Sequence, residues 1–201
     1  MPYSNFNLKR VKNELNISIV ETQGIFEKIE NVEISDILKV ILEEHVPLAV
    51  SINTEKARSE LIISNILVEV RRRFKHGISI FSGVELNVDR EKDLNGFCDF
   101  IISNSSEQLM LNSPIITIVE AKNENIIGGL GQCIAEMVAA NIFNTQESNQ
   151  IEKIYGAVTS GTAWQFLRLK GNNVEVDLKE YFIDNPGKIV GILSAMVEQR
   201  A

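Results

Sequence analysis

Cysteine and histidine are scarce in this chain of 201 residues, two of each: Cys98 and Cys133, His45 and His76. Two cysteines cannot make a disulfide framework, and they lack the C-x-x-C spacing of a metal knuckle. Two isolated histidines leave a structural zinc site, or a Ser-His-Asp or Cys-His nucleophile, without its parts. Long apolar runs are missing too, and none approaches the eighteen residues of a bilayer span. The start Met1-Pro2-Tyr3-Ser4-Asn5-Phe6 is too polar for a signal peptide, so the expected setting is cytoplasmic, with no membrane partner. There is no internal repeat and no low-complexity linker.

Positive charge is also short. Against 27 Asp+Glu stand 20 Lys+Arg, a net charge of −7. Proteins that grip long duplexes usually carry a basic surface, because neutralising phosphate supplies much of their affinity. A nucleic-acid role here must therefore use a local basic patch, a metal or a dimer, with a small footprint. What the chain does have is an ordinary globular make-up, 44% hydrophobic and 23% charged. At this length a folded chain buries roughly 70% of its unfolded surface, enough for one compact domain.

The hydrophobic pattern predicts helices over the first fifty residues. Ser18-Ile19-Val20-Glu21 has the form of a capping box. Ile34, Ile37, Leu38 and Ile41 share one helical face, and Pro47 is expected to end that segment. A longer helix starts at Thr54 as N-cap, with Glu55 complementing its dipole. Its stripe is Ile62, Ile66, Val70 and Phe74, flanked by Ile63 and Leu67, and it ends in Arg71-Arg72-Arg73. Short extended runs follow: Ile78 to Phe81, a break at Gly83, Val84 to Val88, Phe97 to Ile102 and Ile115 to Ala121. A helix opens at Gly128-Gly129-Leu130-Gly131, with Leu130, Cys133, Ile134, Met137 and Val138 on one face. Three more strands, Ile154 to Thr159, Ala163 to Leu169 and Val174 to Leu178, precede a closing helix, Ile189 to Val197. This order predicts an α/β fold, a mixed central sheet flanked by helices. Residues 1–53 form an N-terminal helical extension packed on a core of residues 54–201.

The densest chemical signal is Phe97-Cys98-Asp99-Phe100 followed by Val119-Glu120-Ala121-Lys122. Side chains alternate along a strand, so Glu120 and Lys122 share one face while Val119 and Ala121 take the other. Charges at the end of an apolar strand are costly unless paired or bound to a cation. If the two strands are neighbours, Asp99 and Glu120 converge to hold a hard divalent cation such as Mg²⁺ or Mn²⁺.

Asp99 and Glu120-Ala121-Lys122 resemble the core motif of the PD-(D/E)xK nuclease superfamily, the restriction-endonuclease-like fold. The likeness covers roughly residues 54 to 200. Within the superfamily the chain resembles a cyanobacterial group, with Asn95-Gly96-Phe97-Cys98-Asp99-Phe100 as a signature; Phe100 stands where the ancestral pattern has proline. The resemblance implies a metal-dependent nuclease that cleaves DNA phosphodiesters to 3′-hydroxyl and 5′-phosphate ends. It assigns Asp99, Glu120 and the Ala121 carbonyl to Mg²⁺ (or Mn²⁺) and Lys122 to the attacking water. Glu60, on the preceding helix, and Gln132, near the start of the crossover helix, become secondary site residues. A homodimer would let one small site address both strands.

Plainer readings stand beside these. Glu120 and Lys122 could be a cross-face ion pair on an exposed strand, and Asp99 a carboxylate taking amide hydrogen bonds. Glu60 could be solvated or paired at i,i+4, and Glu85 suits a surface strand position. Arg71-Arg72-Arg73 with Lys75 complements the negative end of a helix dipole better than it serves phosphate. The glycines at 128, 129 and 131 lack the Lys-Ser/Thr of a P-loop and read as a flexible entry to a helix. Trp164 and Phe166 fit packing under the closing helix better than base stacking, and the cysteines fit as small buried hydrophobes. The competing function is a catalytically inactive module of nuclease fold that binds nucleic acid or a protein partner.

Overall fold

The stripe read for the long helix is fully buried at Ile62, Ile63, Ile66, Leu67 and Val70. In the computed structural model, which describes residues 3–201, it lies on three consecutive helical segments. These are α3 (Glu55–Arg58), a π-helical turn (Ser59–Ile63) and α4 (Ser64–Arg73). Thr54 caps the first, its hydroxyl accepting from the Ala57 amide at 3.1 Å. Met1 and Pro2 of the polar start lie outside the described residues.

Before this unit come α1 (Leu8–Glu14), β1 (Ser18–Thr22) and α2 (Asp36–Ile52). After it run β2 (Ser79–Glu85), β3 (Phe97–Ser103), β4 (Ile115–Ala121), α5 (Ile126–Gln146), β5 (Ile154–Thr159), β6 (Ala163–Lys170), β7 (Asn173–Asp177), β8 (Tyr181–Phe182) and α6 (Pro186–Val197). The expected α/β class holds: a mixed eight-stranded sheet in the order β1-β7-β6-β5-β4-β3-β2, with β8 paired to β6, is flanked by helices. The pairs β4·β5 and β1·β7 are parallel and the others antiparallel. One face packs against α2, α4 and α6 through Leu38, Ile66, Phe166 and Ile192. The other packs against α1 and α5 through Val11, Ile118, Cys133 and Met137.

Several local expectations fail. Ser18 to Glu21 is not a capped helix start but part of the edge strand β1, so the N-terminal extension is not purely helical. Ile19, Val20 and Thr22 are β-branched, and parallel pairing with Asn173–Asp177 satisfies their backbone, which outweighs a local capping signal. Pro47 lies inside α2, which runs on to Asn53 in the left-handed conformation (φ 52°). It is tolerated because Pro47 and Glu43, whose carbonyl it leaves unpaired, both sit on the exposed side of the helix. Helix α2 buries Leu38, Leu42 and Ala49, while Ile37 is 59% exposed. Its phase is set by Ser35, which caps the helix and is itself tied by amide and hydroxyl to the buried Glu69.

Gly83 does not break β2; at φ +62° it sits inside the strand, between the pairs Ser82↔Phe100 and Val84↔Cys98. The glycines at 128, 129 and 131 are within α5, not a flexible entry to it. A Cβ on Gly131 would come within 2.4 Å of the Asn7 backbone, and one on Gly129 within 2.7 Å of Val158. These positions let α5 press against the segment before α1 and against β5. Helix α5 also corrects the reading of apolar runs: by length and composition it could cross a membrane. Here 61% of its apolar window is buried, mostly against the sheet.

Candidate metal-binding site

The ladder between β3 and β4 ends at the pair Phe100↔Val119. One step further along each strand, the facing positions are Asp99 and Glu120. Directly opposed residues of an antiparallel pair share a face, so both carboxylates project to the α5 side as the strands part. Where the backbone ladder stops, a side chain continues it: the Ala121 amide donates to Asp99 Oδ2 at 2.8 Å. A strand residue's N–H and C=O point to the same neighbour, so the Ala121 carbonyl is aimed at this gap as well. Glu120 Oε1 accepts from Lys122 Nζ at 2.5 Å, on the shared face that alternation requires.

Burial sets the electrostatics. Removal from water raises the Asp99 pKa, opposed by the Ala121 amide and the Lys122 charge. Glu120, 1% exposed, is pushed up to about 8 by burial and then by the Asp99 charge, against the pull of Lys122. Burial by itself would lower Lys122; Glu120 outweighs it and leaves the ammonium more basic than usual. The two partners thus pull opposite ways, Glu120 toward the neutral acid and Lys122 toward the charged base. The 2.5 Å contact favours the ion pair, with Asp99 as the surplus negative charge that makes the second ionisation costly.

This surplus has a visible address. Glu120 Oε2 is buried and has no hydrogen-bond partner. An orphaned carboxylate oxygen beside a second carboxylate and a carbonyl is what a divalent cation would satisfy. Among the described residues no three His, Cys, Asp or Glu side chains gather into a metal-holding group. Two carboxylates and one carbonyl suit Mg²⁺, which keeps several waters, better than a fully caged ion.

Gln132, on α5, stands beside Lys122, its Oε1 3.4 Å from Nζ. Glu60 is less central. It lies on the π turn, is exposed, pairs with Lys56 at 3.8 Å, and lines a cleft of about 270 Å³ onto which Asp99 opens. The charge that raises Glu120 from this side is that of Glu55, read from the sequence only as a dipole complement. Two further residues, which no sequence motif marks, border the site. Arg58 is 6% exposed and braces the rim: it donates to Asn53 and Asn123 side chains, to the Ser160 carbonyl at 2.9 Å and to Thr162. Glu136 is fully buried one turn beyond Gln132 and accepts from its amide at 3.0 Å. The i,i+4 spacing from Gln132, in a helix otherwise apolar on that face, was the available signal.

The plainer readings account for most of the rest. Arg71, Arg72 and Arg73 donate to the Ile78 carbonyl, to Ser35 and Glu69, and to the Glu33 carbonyl, while Arg72 and Arg73 stay exposed at the surface. Trp164 and Phe166 are fully buried and stacked 6.1 Å apart. Cys98 and Cys133 are free and buried, and Glu85 is exposed. A larger cavity, about 650 Å³ between α6 and the 25–32 segment, lies apart from the carboxylates.

No family model matches the chain. No curated protein matches it in sequence either.

Proposed function

We propose that the chain is a metal-dependent nuclease of the restriction-endonuclease-like, PD-(D/E)xK type, hydrolysing DNA phosphodiester bonds. One observation carries the reading: Asp99 and Glu120 meet where β3 and β4 part, Glu120 Oε2 is buried without a partner, and Lys122 stands 2.5 Å from the other oxygen. Asp99, Glu120 and the Ala121 carbonyl would hold Mg²⁺ or Mn²⁺. When bound, the ion supplies Lewis-acid polarisation of the phosphate and a more acidic water. The protein's own part is placement. Asp99 is fixed by the Ala121 amide, so its free oxygen faces the gap. Lys122 has three N–H donors; Glu120 and Gln132 take two, leaving the third for the attacking water or a phosphate oxygen. Glu55, Lys56 and Glu60 wall the cleft by which substrate would reach Asp99.

A small footprint fits a net charge of −7. The same charge also favours a second reading, a nuclease-fold module that binds without cleaving. Cleavage of labelled DNA in Mg²⁺ or Mn²⁺, with Asp99→Ala and Lys122→Ala alongside, separates the two. Activity in wild type that both variants abolish supports the enzyme. Calorimetry showing no divalent binding at millimolar concentrations would favour the module.

A further inference from the structure

Glu136 is the group of this cluster to which the proposed chemistry gives no task. Its side chain is fully buried on α5, and its one hydrogen bond is the one Oε1 accepts from Gln132 Nε2 at 3.0 Å. Oε2 has no partner. Neighbouring polar groups are engaged elsewhere: the Tyr3 hydroxyl donates to the Leu86 carbonyl at 2.6 Å, and Cys133 Sγ faces the Ala157 carbonyl at 3.8 Å. A buried carboxyl with one of its oxygens unsatisfied lowers stability, and such departures from good packing concentrate where function needs them.

We propose that Glu136 is a positioning residue. By accepting the Gln132 amide N–H it turns the Gln132 carbonyl oxygen toward Lys122, and so holds the ammonium beside Glu120. The two ends of a glutamine amide are nearly the same size, and only their hydrogen bonds decide which way the group faces. Lys122 needs an acceptor and finds Oε1 at 3.4 Å; the opposite end must then find an acceptor behind it, and Glu136 is placed there. With no acceptor at position 136 the amide is free to rotate, and its N–H₂ end would repel the ammonium. The kinetic consequence rests on the nuclease reading; the structural one does not.

The test uses Glu136→Leu and Glu136→Gln in the full chain, each with two readouts. The first is the ¹³Cε signal of Lys122, identified by its loss in Lys122→Met. It should move in Glu136→Leu and return near its wild-type position in Glu136→Gln, whose amide oxygen still accepts. The second is DNA cleavage with Mg²⁺ titration. Glu136→Leu should lose about tenfold or more in kcat with KM and Mg²⁺ affinity unchanged, as expected for a misplaced reacting group, and Glu136→Gln should restore most of that rate. A Lys122 signal identical in wild type and Glu136→Leu overturns the inference. So does a Glu136→Gln protein that loses Mg²⁺ affinity, because the carboxylate would then be a ligand. If no protein cleaves, wild type included, the nuclease reading has failed, and the Lys122 signal still decides the role of Glu136.

Discussion

Replacing Glu136 with leucine should make the metal-free protein more stable, and the gain should grow with pH. The wild-type carboxyl is completely buried, keeps one hydrogen bond and leaves one oxygen without a partner. Burial, reinforced by the Glu120 charge, raises its pKa well above the ordinary 4.5. A raised acid is neutral in both states below that ordinary value and contributes no penalty there. As pH climbs, the unfolded chain releases the proton while the folded one retains it, so stability falls by about 1.4 kcal/mol per pH unit. Leucine has no proton to hold. At pH 5 the lost Gln132 contact, about 1 kcal/mol, roughly offsets the relief of burying a polar group, so the two proteins should melt together. Each pH unit between the ordinary value and the raised one should widen the gap by about 1.4 kcal/mol, roughly 3–6 °C in Tm for a chain of this size. Thermal melts by circular dichroism in EDTA, from pH 4.5 to pH 8, measure it. A Glu136→Leu protein melting below wild type at pH 8, or a gap that does not change with pH, would refute the electrostatic reasoning.

Removing Asp99 should cost stability as well as metal binding. Asp99→Ala leaves the Ala121 amide without its acceptor, about 1–3 kcal/mol by urea denaturation, and abolishes calorimetric Mg²⁺ binding. Mg²⁺ affinity should weaken about tenfold per pH unit below pH 8, because the coupled Asp99–Glu120 pair must release its second proton to bind; equal affinity at pH 6 and pH 8 would contradict this. Arg58→Ala should destabilise by about 2–4 kcal/mol, since four hydrogen bonds from one buried guanidinium are lost. Hydrogen exchange should quicken at Asn123 and at residues 160–162. Gly131→Ala forces a methyl onto the Asn7 backbone and should lower Tm by several degrees through displacement of α1; an unchanged Tm would mean that α1 yields freely.

Much of the architecture was legible because periodicity reports burial directly. The runs Ile115–Ala121 and Ile154–Thr159 coincide with β4 and β5, being apolar stretches too short and too β-branched for helices. The Ile62 to Val70 stripe also follows from spacing. Ser18–Thr22 did not, because its state depends on pairing with a strand about 150 residues later, a gain invisible to local pattern. Pro47 does not end α2 because the Glu43 carbonyl that it frees lies on the exposed side, where water can take the place of the lost bond.

For the candidate site, alternation along β4 determined that Glu120 and Lys122 share a face, and covalent geometry alone requires it. Which positions meet across strands is another matter. That Asp99 stands opposite Glu120, that Glu55 rather than Glu60 bears on it, and that Glu136 lies sealed behind Gln132 were all decided by the tertiary structure. Sequence patterns carry period and polarity, while register, strand order and helix depth come from how the whole core closes. It is those three that bring charges distant in the chain together in a space too dry to screen them.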